Sequence, residues 1–126
     1  MKRWSIILGY LIGLQVIADD ASMQRCLDQA QTTIDMRKCT AQELGYQDFL
    51  LNKVYKRVMA KLSPLHRKEL RDVQRAWIRY RDLKCDFETI VAEGGSMVAV
   101  LALDCNLEMT KQRRKELEYI LRMTVE

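Results

Sequence analysis

Apolar positions along most of this chain recur every three or four residues. From Thr32 to Leu62 they fall at Met36, Cys39, Leu51, Val54, Tyr55, Val58 and Leu62, a spacing that keeps them on one face of a helix. Two capping signals compete for the start of that helix, Thr32 with Asp35 and Thr40 with Glu43; the first is preferred, which sets Cys39 about two turns inside. Ser63 and Pro64 end it. A second helix is expected over residues 65–93, with Leu70, Val73, Trp77 and Tyr80 turned inward by their 3-4-3 spacing. Arg67, Arg71, Arg75 and Arg79 recur every fourth residue and should form a largely solvated flank. Gly94 and Gly95 stop this helix, because glycine accepts the left-handed conformation that closes a last turn. Ser96 is the expected cap of a third helix over residues 97–123, whose apolar positions include Leu101, Leu107, Leu117, Ile120 and Leu121. A short helix near Ser22–Ala30 precedes these three. No stretch alternates apolar and polar residues long enough to require a strand. The expected architecture is all-α: an antiparallel bundle of three long helices plus a short N-terminal helix, stapled by two disulfides.

The staples follow from four cysteines. Cys85 and Cys105 lie ten residues either side of Gly95, so helices folded antiparallel about that turn carry both to the same height, about 15 Å from it. Facing positions on close-packed helices meet the Cα separation of roughly 5.5–6 Å that a disulfide needs. Cys26 is then left to pair with Cys39. A structural zinc site is the rival reading. Its ligands come in close Cys-x-x-Cys pairs, whereas no two cysteines here are nearer than 13 residues and His66 is the only histidine. No metal and no cofactor are expected.

Disulfides require an oxidising compartment, and the N-terminus fits one. Met1, Lys2 and Arg3 form a positive cluster, a mostly apolar run extends from Trp4 to Ile17, and Val16 and Ala18 supply small residues before Asp19. This is the layout of a secretory signal peptide, residues 1–18, leaving residues 19–126 as one helical domain. The alternative is an uncleaved anchor, although the run is shorter than the ~20 residues needed to span a bilayer. No cysteine directly follows the apolar run, so lipid attachment is not expected. Removing Lys2 and Arg3 lowers the formal net charge from +4 to +2, with both signs interspersed and no basic block to contact nucleic acid. The expected product is periplasmic or secreted, without stable membrane insertion.

Little in the chain suggests catalysis. His66, beside Pro64 at a helix start, reads as a surface residue. The thiols are bridged, and neither a glycine-rich phosphate loop nor a nucleotide fingerprint is present. Asp82 beside Arg81 reads as a buried ion pair that locks neighbouring helices, with an acid–base centre as the alternative. By elimination, a non-enzymatic binding module is expected.

The string from Leu70 to Cys85, Leu-Arg-Asp-Val-Gln-Arg-Ala-Trp-Ile-Arg-Tyr-Arg-Asp-Leu-Lys-Cys, resembles the signature of the LprI-type lysozyme-inhibitor family of small secreted bacterial proteins. Its Gln-Arg-x-Trp and Tyr-Arg-Asp-x-x-Cys elements are matched by Gln74, Trp77, Tyr80, Arg81, Asp82 and Cys85. Cys26, Thr32 or Thr33, Met36 and Cys39 are similar to the family's first cysteine and its Thr-x-x-x-Met-x-x-Cys element. Asp48, Leu51, Asn52 and Tyr55 are similar to its Asp-x-x-Leu-Asn-x-x-Tyr element. Gly94, Gly95 and Ser96 match its Gly-Gly-Ser turn, and Cys105, Thr110, Arg113 or Arg114, and Glu116-Leu117 match its tail. Physically these residues read as scaffold: bridges, turn glycines and an aromatic-Arg-Asp layer between helices. The resemblance implies a protein partner, with a peptidoglycan hydrolase as the first candidate. Lysozyme-type enzymes work with paired carboxylates in an open cleft, which a protruding turn can plug. The candidate contact residues are Glu93, Gly94, Gly95 and Ser96 at one turn, and His66 and Arg67 at the other. A net charge of +2 would not steer the protein toward strongly basic animal lysozymes. A bacterial cell-wall hydrolase, with this chain as an immunity factor, and a periplasmic adaptor role are the alternatives.

Overall fold

A computed structural model describes residues 21–92 and 94–124. The expected signal peptide and Glu93 lie outside the described residues. Four helices form among those described: α1 over residues 21–29, α2 over Thr33–Lys61, α3 over Pro64–Val91 and α4 over Val98–Met123. There are no strands among them, so the all-α bundle expected from periodicity is the fold.

The helix limits have local causes. The Thr32 hydroxyl accepts from the Asp35 amide at 3.1 Å while the Asp35 carboxylate accepts from the Thr32 amide at 3.1 Å, a reciprocal capping box. Of the two candidate starts, this is the one used. Leu62 closes α2, and the Ser63–Pro64 pair belongs to the next helix: Ser63 is the N-cap of α3, its hydroxyl accepting from the His66 amide at 3.3 Å, and Pro64 fills the first helical position. At the far end Gly94 and Gly95 take φ of +86° and +94°, the left-handed conformation expected of them. Ser96 is not the cap of α4. That position falls to Met97, which makes no side-chain capping bond.

α4 is the central helix, packed against both α2 and α3 and most extensively against α2. Its buried stripe runs Leu107, Thr110, Arg113, Leu117 and Leu121. Toward the α2–α3 corner, Leu51, Val54 and Val58 of α2 meet Leu70 of α3 and Leu117 and Leu121 of α4 in the hydrophobic core. Each fully buried side chain of this size contributes roughly 1.5–3 kcal/mol. Toward the opposite end the staples take over. Cys26–Cys39 ties α1 to α2 at a Cα separation of 5.8 Å, and Cys85–Cys105 ties α3 to α4 at 5.6 Å, the two pairings expected.

The register of α3 departs from expectation. Its buried residues are Leu70, Gln74 and Cys85, with Trp77 and Arg81 half-buried beside them. Val73 and Tyr80, expected inside, are 52% and 59% exposed. α3 carries two apolar faces, and only one can meet α4. The bridge at Cys85 selects the face that also holds Gln74 and Arg81, three turns and one turn earlier. Leu101, likewise expected inside, is exposed near the free start of α4. Arg71, Arg75 and Arg79 are exposed as expected, whereas Arg67 is half-buried.

Candidate functional site

Midway along the bundle the helices are joined by a polar layer centred on two consecutive arginines of α4. Arg113 Nε donates to Gln74 Oε1 on α3 at 3.0 Å, and its Nη1 donates to Glu116 Oε2 at 2.9 Å. Arg114 turns the other way: its Nε donates to Gln47 Oε1 on α2 at 3.0 Å and its Nη1 to Glu118 Oε1 at 2.7 Å. Gln47 in turn donates to Glu43 Oε1 at 2.9 Å within α2. Trp77 is flanked by two guanidinium groups, with Arg81 5.2 Å and Arg113 6.0 Å from its ring centroid. Arg113 Nη2 is buried without a hydrogen-bond partner, leaving the ring face as its compensation. These contacts fix the rotation of α4 relative to both neighbours. A buried arginine accepts only a partner in the right register.

Sequence reading reached part of this layer. Gln74, Trp77 and Arg81 belong to it. Tyr80 and Asp82 do not: Tyr80 is exposed, and Asp82 faces solvent while pairing with the adjacent Arg81, Oδ1 to Nη2 at 2.9 Å. The Arg81–Asp82 pair is therefore not the buried ion pair expected, and it does not link helices, because both residues belong to α3 and Asp82 is exposed. On α2, Tyr55 packs on the hydrophobic core, and exposed Asn52 donates to Asp48 Oδ2 at 3.5 Å. Glu43 and Gln47 were not anticipated, nor was the division of labour between Arg113 and Arg114. The signal was available in register. Glu43 and Gln47 continue the Cys39–Leu51 stripe, and Thr110 and Arg113 continue the Leu107–Leu117 stripe, so both helices place polar groups where a core residue belongs.

The two expected contact turns lie at opposite ends of α3. Gly94, Gly95 and Ser96 are all exposed, and the neighbouring Ile90, Val91, Met97 and Leu101 present apolar side chains to solvent. At the other end His66 is exposed, while Arg67 Nε donates to the Met59 carbonyl at 2.9 Å and straps α3 to the end of α2. Arg67 thus has a structural task, which leaves the glycine turn as the less encumbered surface. An open groove between α3 and α4 is bordered by Trp77, Tyr80, Lys84, Asp104, Glu108 and Gln112. Its acids and bases are exposed or pair locally, as Lys84 does with Glu88. Among the described residues no cluster of His, Cys, Asp and Glu is arranged to hold a metal ion, and no helix is long and apolar enough to cross a membrane.

Comparison with known proteins places this geometry in context. The family model described as Lysozyme inhibitor LprI matches residues 25–117, a span that takes in both disulfides and all of the polar layer but Glu118. An uncharacterized protein of Rhizobium meliloti (strain 1021) is 34% identical over 107 residues, covering 74% of this chain and 76% of the relative. No solved structure matches.

Proposed function

The chain belongs to the LprI lysozyme inhibitor family, and from that premise we propose that it is a periplasmic or secreted protein that binds and inhibits a lysozyme-type peptidoglycan hydrolase. The observation that carries this reading is the family match across residues 25–117, nearly the whole disulfide-stapled bundle. Two bridges in so small a domain suit an oxidising compartment. The protein acts by occlusion and not by chemistry. Its inhibitory element is the α3–α4 turn, where exposed Gly94 and Gly95 have no side chain to hinder close approach of the backbone and exposed Val91, Met97 and Leu101 supply apolar contact on either side. A hydrolase cleft wide enough for a glycan chain admits such a turn, whose exposed backbone can approach the paired carboxylates.

The test is clearing of a cell-wall suspension by lysozyme-type hydrolases of animal and bacterial origin, with and without the oxidised protein. Slowed clearing at micromolar excess against at least one enzyme is expected. The exposed-site double variant Val91→Asp/Met97→Asp should lose that effect while keeping its helical circular dichroism. Absence of inhibition across the panel would overturn the reading; inhibition unaffected by the double variant would remove the turn from it.

A further inference from the structure

The face of α3 turned away from α4 is apolar and, among the described residues, is left exposed. Val73, Ala76, Tyr80, Leu83, Phe87 and Ile90 repeat at intervals of 3, 4, 3, 4 and 3 residues, the heptad spacing of a two-stranded coiled coil. All six are exposed, with Leu83 at 60%, Phe87 at 64% and Ile90 at 73%. On a helical wheel the strip is centred about 150° from the Gln74–Arg81–Cys85 face that meets α4. It is therefore a second seam, not the margin of the first.

We propose that this seam is a homodimer interface in which α3 pairs antiparallel with α3 of a second copy. Antiparallel pairing about a twofold axis between Arg81 and Asp82 sets Tyr80 opposite Leu83 of the second copy, Ala76 opposite Phe87, and Val73 opposite Ile90. Every layer then matches a small or branched side chain to a larger one, and the small Ala76 receives the phenyl ring. The flanking charges select the direction. In this arrangement Arg79 of each copy lies beside Asp86 of the other, forming two symmetric opposite-charge pairs. Among the described residues neither side chain has an ion-pair partner within its own chain. A parallel dimer would instead bring Arg79 against Lys84 twice, a like-charge contact at the position that governs coiled-coil orientation. The antiparallel dimer also carries the Gly94–Gly95 turn of one copy toward the His66–Arg67 corner of the other, two surfaces that a single chain holds a full helix length apart.

The oxidised protein is examined by sedimentation equilibrium from about 1 μM to about 1 mM, the range over which weak to moderate self-association becomes visible. A concentration-dependent rise from one chain mass to two is expected. Leu83→Glu, at a solvent-facing position, should abolish it with the helical spectrum and thermal midpoint of the monomer retained. Arg79→Asp and Asp86→Arg should each weaken the dimer on the order of tenfold, since two pairs are lost and two repulsions gained. The double swap should restore it to near the parent value. A monomer throughout the concentration range would overturn the proposal, as would a dimer indifferent to Leu83→Glu. Tighter association by Arg79→Asp would also overturn it, by identifying the parallel arrangement. None of these readouts depends on hydrolase inhibition.

Discussion

Among the described residues from 78 to 106, Cys85 alone is buried. The outer half of the α3–α4 hairpin is therefore held by its bridge to Cys105 and by little else, whereas the inner half shares the core of Leu70, Leu117 and Leu121 with α2. Replacing both residues, Cys85→Ala with Cys105→Ala, tests that division. The two cysteines are 20 positions apart, and closing a loop of that length restrains the unfolded chain by about 3 kcal/mol. In a domain of this size that loss should lower the thermal midpoint by roughly 10–25 °C. The location of the loss matters more than its size. Hydrogen exchange read by mass spectrometry should rise sharply over residues 82–92 and 98–104, and little over residues 51–58 of α2. The companion variant, Cys26→Ala with Cys39→Ala, should release α1 and the first turns of α2 and leave the hairpin protected. If the Cys85–Cys105 variant loses less than about 1 kcal/mol in urea titration, or if protection falls equally in α2, the outer hairpin has another anchor and the reasoning fails.

Leu117→Ala, at a fully buried position in the three-helix core, should cost about 2–5 kcal/mol in urea unfolding. Gln74→Ala deprives the buried Arg113 Nε of its acceptor and should cost about 1–3 kcal/mol; Gln74→Leu with Arg113→Met should lose less than the two single changes together, because no buried charge is stranded. Gly95→Ala, at φ +94° with open space around the added methyl, should cost about 1–2 kcal/mol from backbone conformation alone. The Asp35 carboxyl is held below its ordinary value of 3.8, chiefly by the Thr32 side chain and then by the Gln31 amide. Its contribution to stability is thus complete above that value and is lost as the pH falls through the lower folded-state value. Thr32→Ala should flatten this acid limb of the stability curve, measured as thermal midpoint between pH 2 and pH 5 (about the range in which a carboxylate titrates).

The all-α class, the helix breaks, the choice of Thr32 as first cap and both bridges were legible in the chain. Each rests on interactions between near neighbours in sequence, or on a turn that fixes the height of two residues. A capping box needs only positions 32 and 35, and the Cys85–Cys105 pair needs only the glycine turn midway between them. Ser63 and Pro64 punctuated the chain at the expected place but served the helix that follows, because a side-chain acceptor and a missing amide suit a helix start better than its end.

Packing decided the rest. α3 has apolar residues around more of its circumference than one neighbour can cover, so periodicity alone could not say whether Val73 and Tyr80 or Gln74 and Arg81 face inward. The covalent tie at Cys85 and the buried guanidinium of Arg113 favour the second face. A charged group removed from water must find a partner across the helix interface, whereas an apolar strip can remain on the surface at smaller cost. The chain by itself set which helices form and where they end. Only their association determined which side of α3 is the inside, and so left its heptad face available for another molecule.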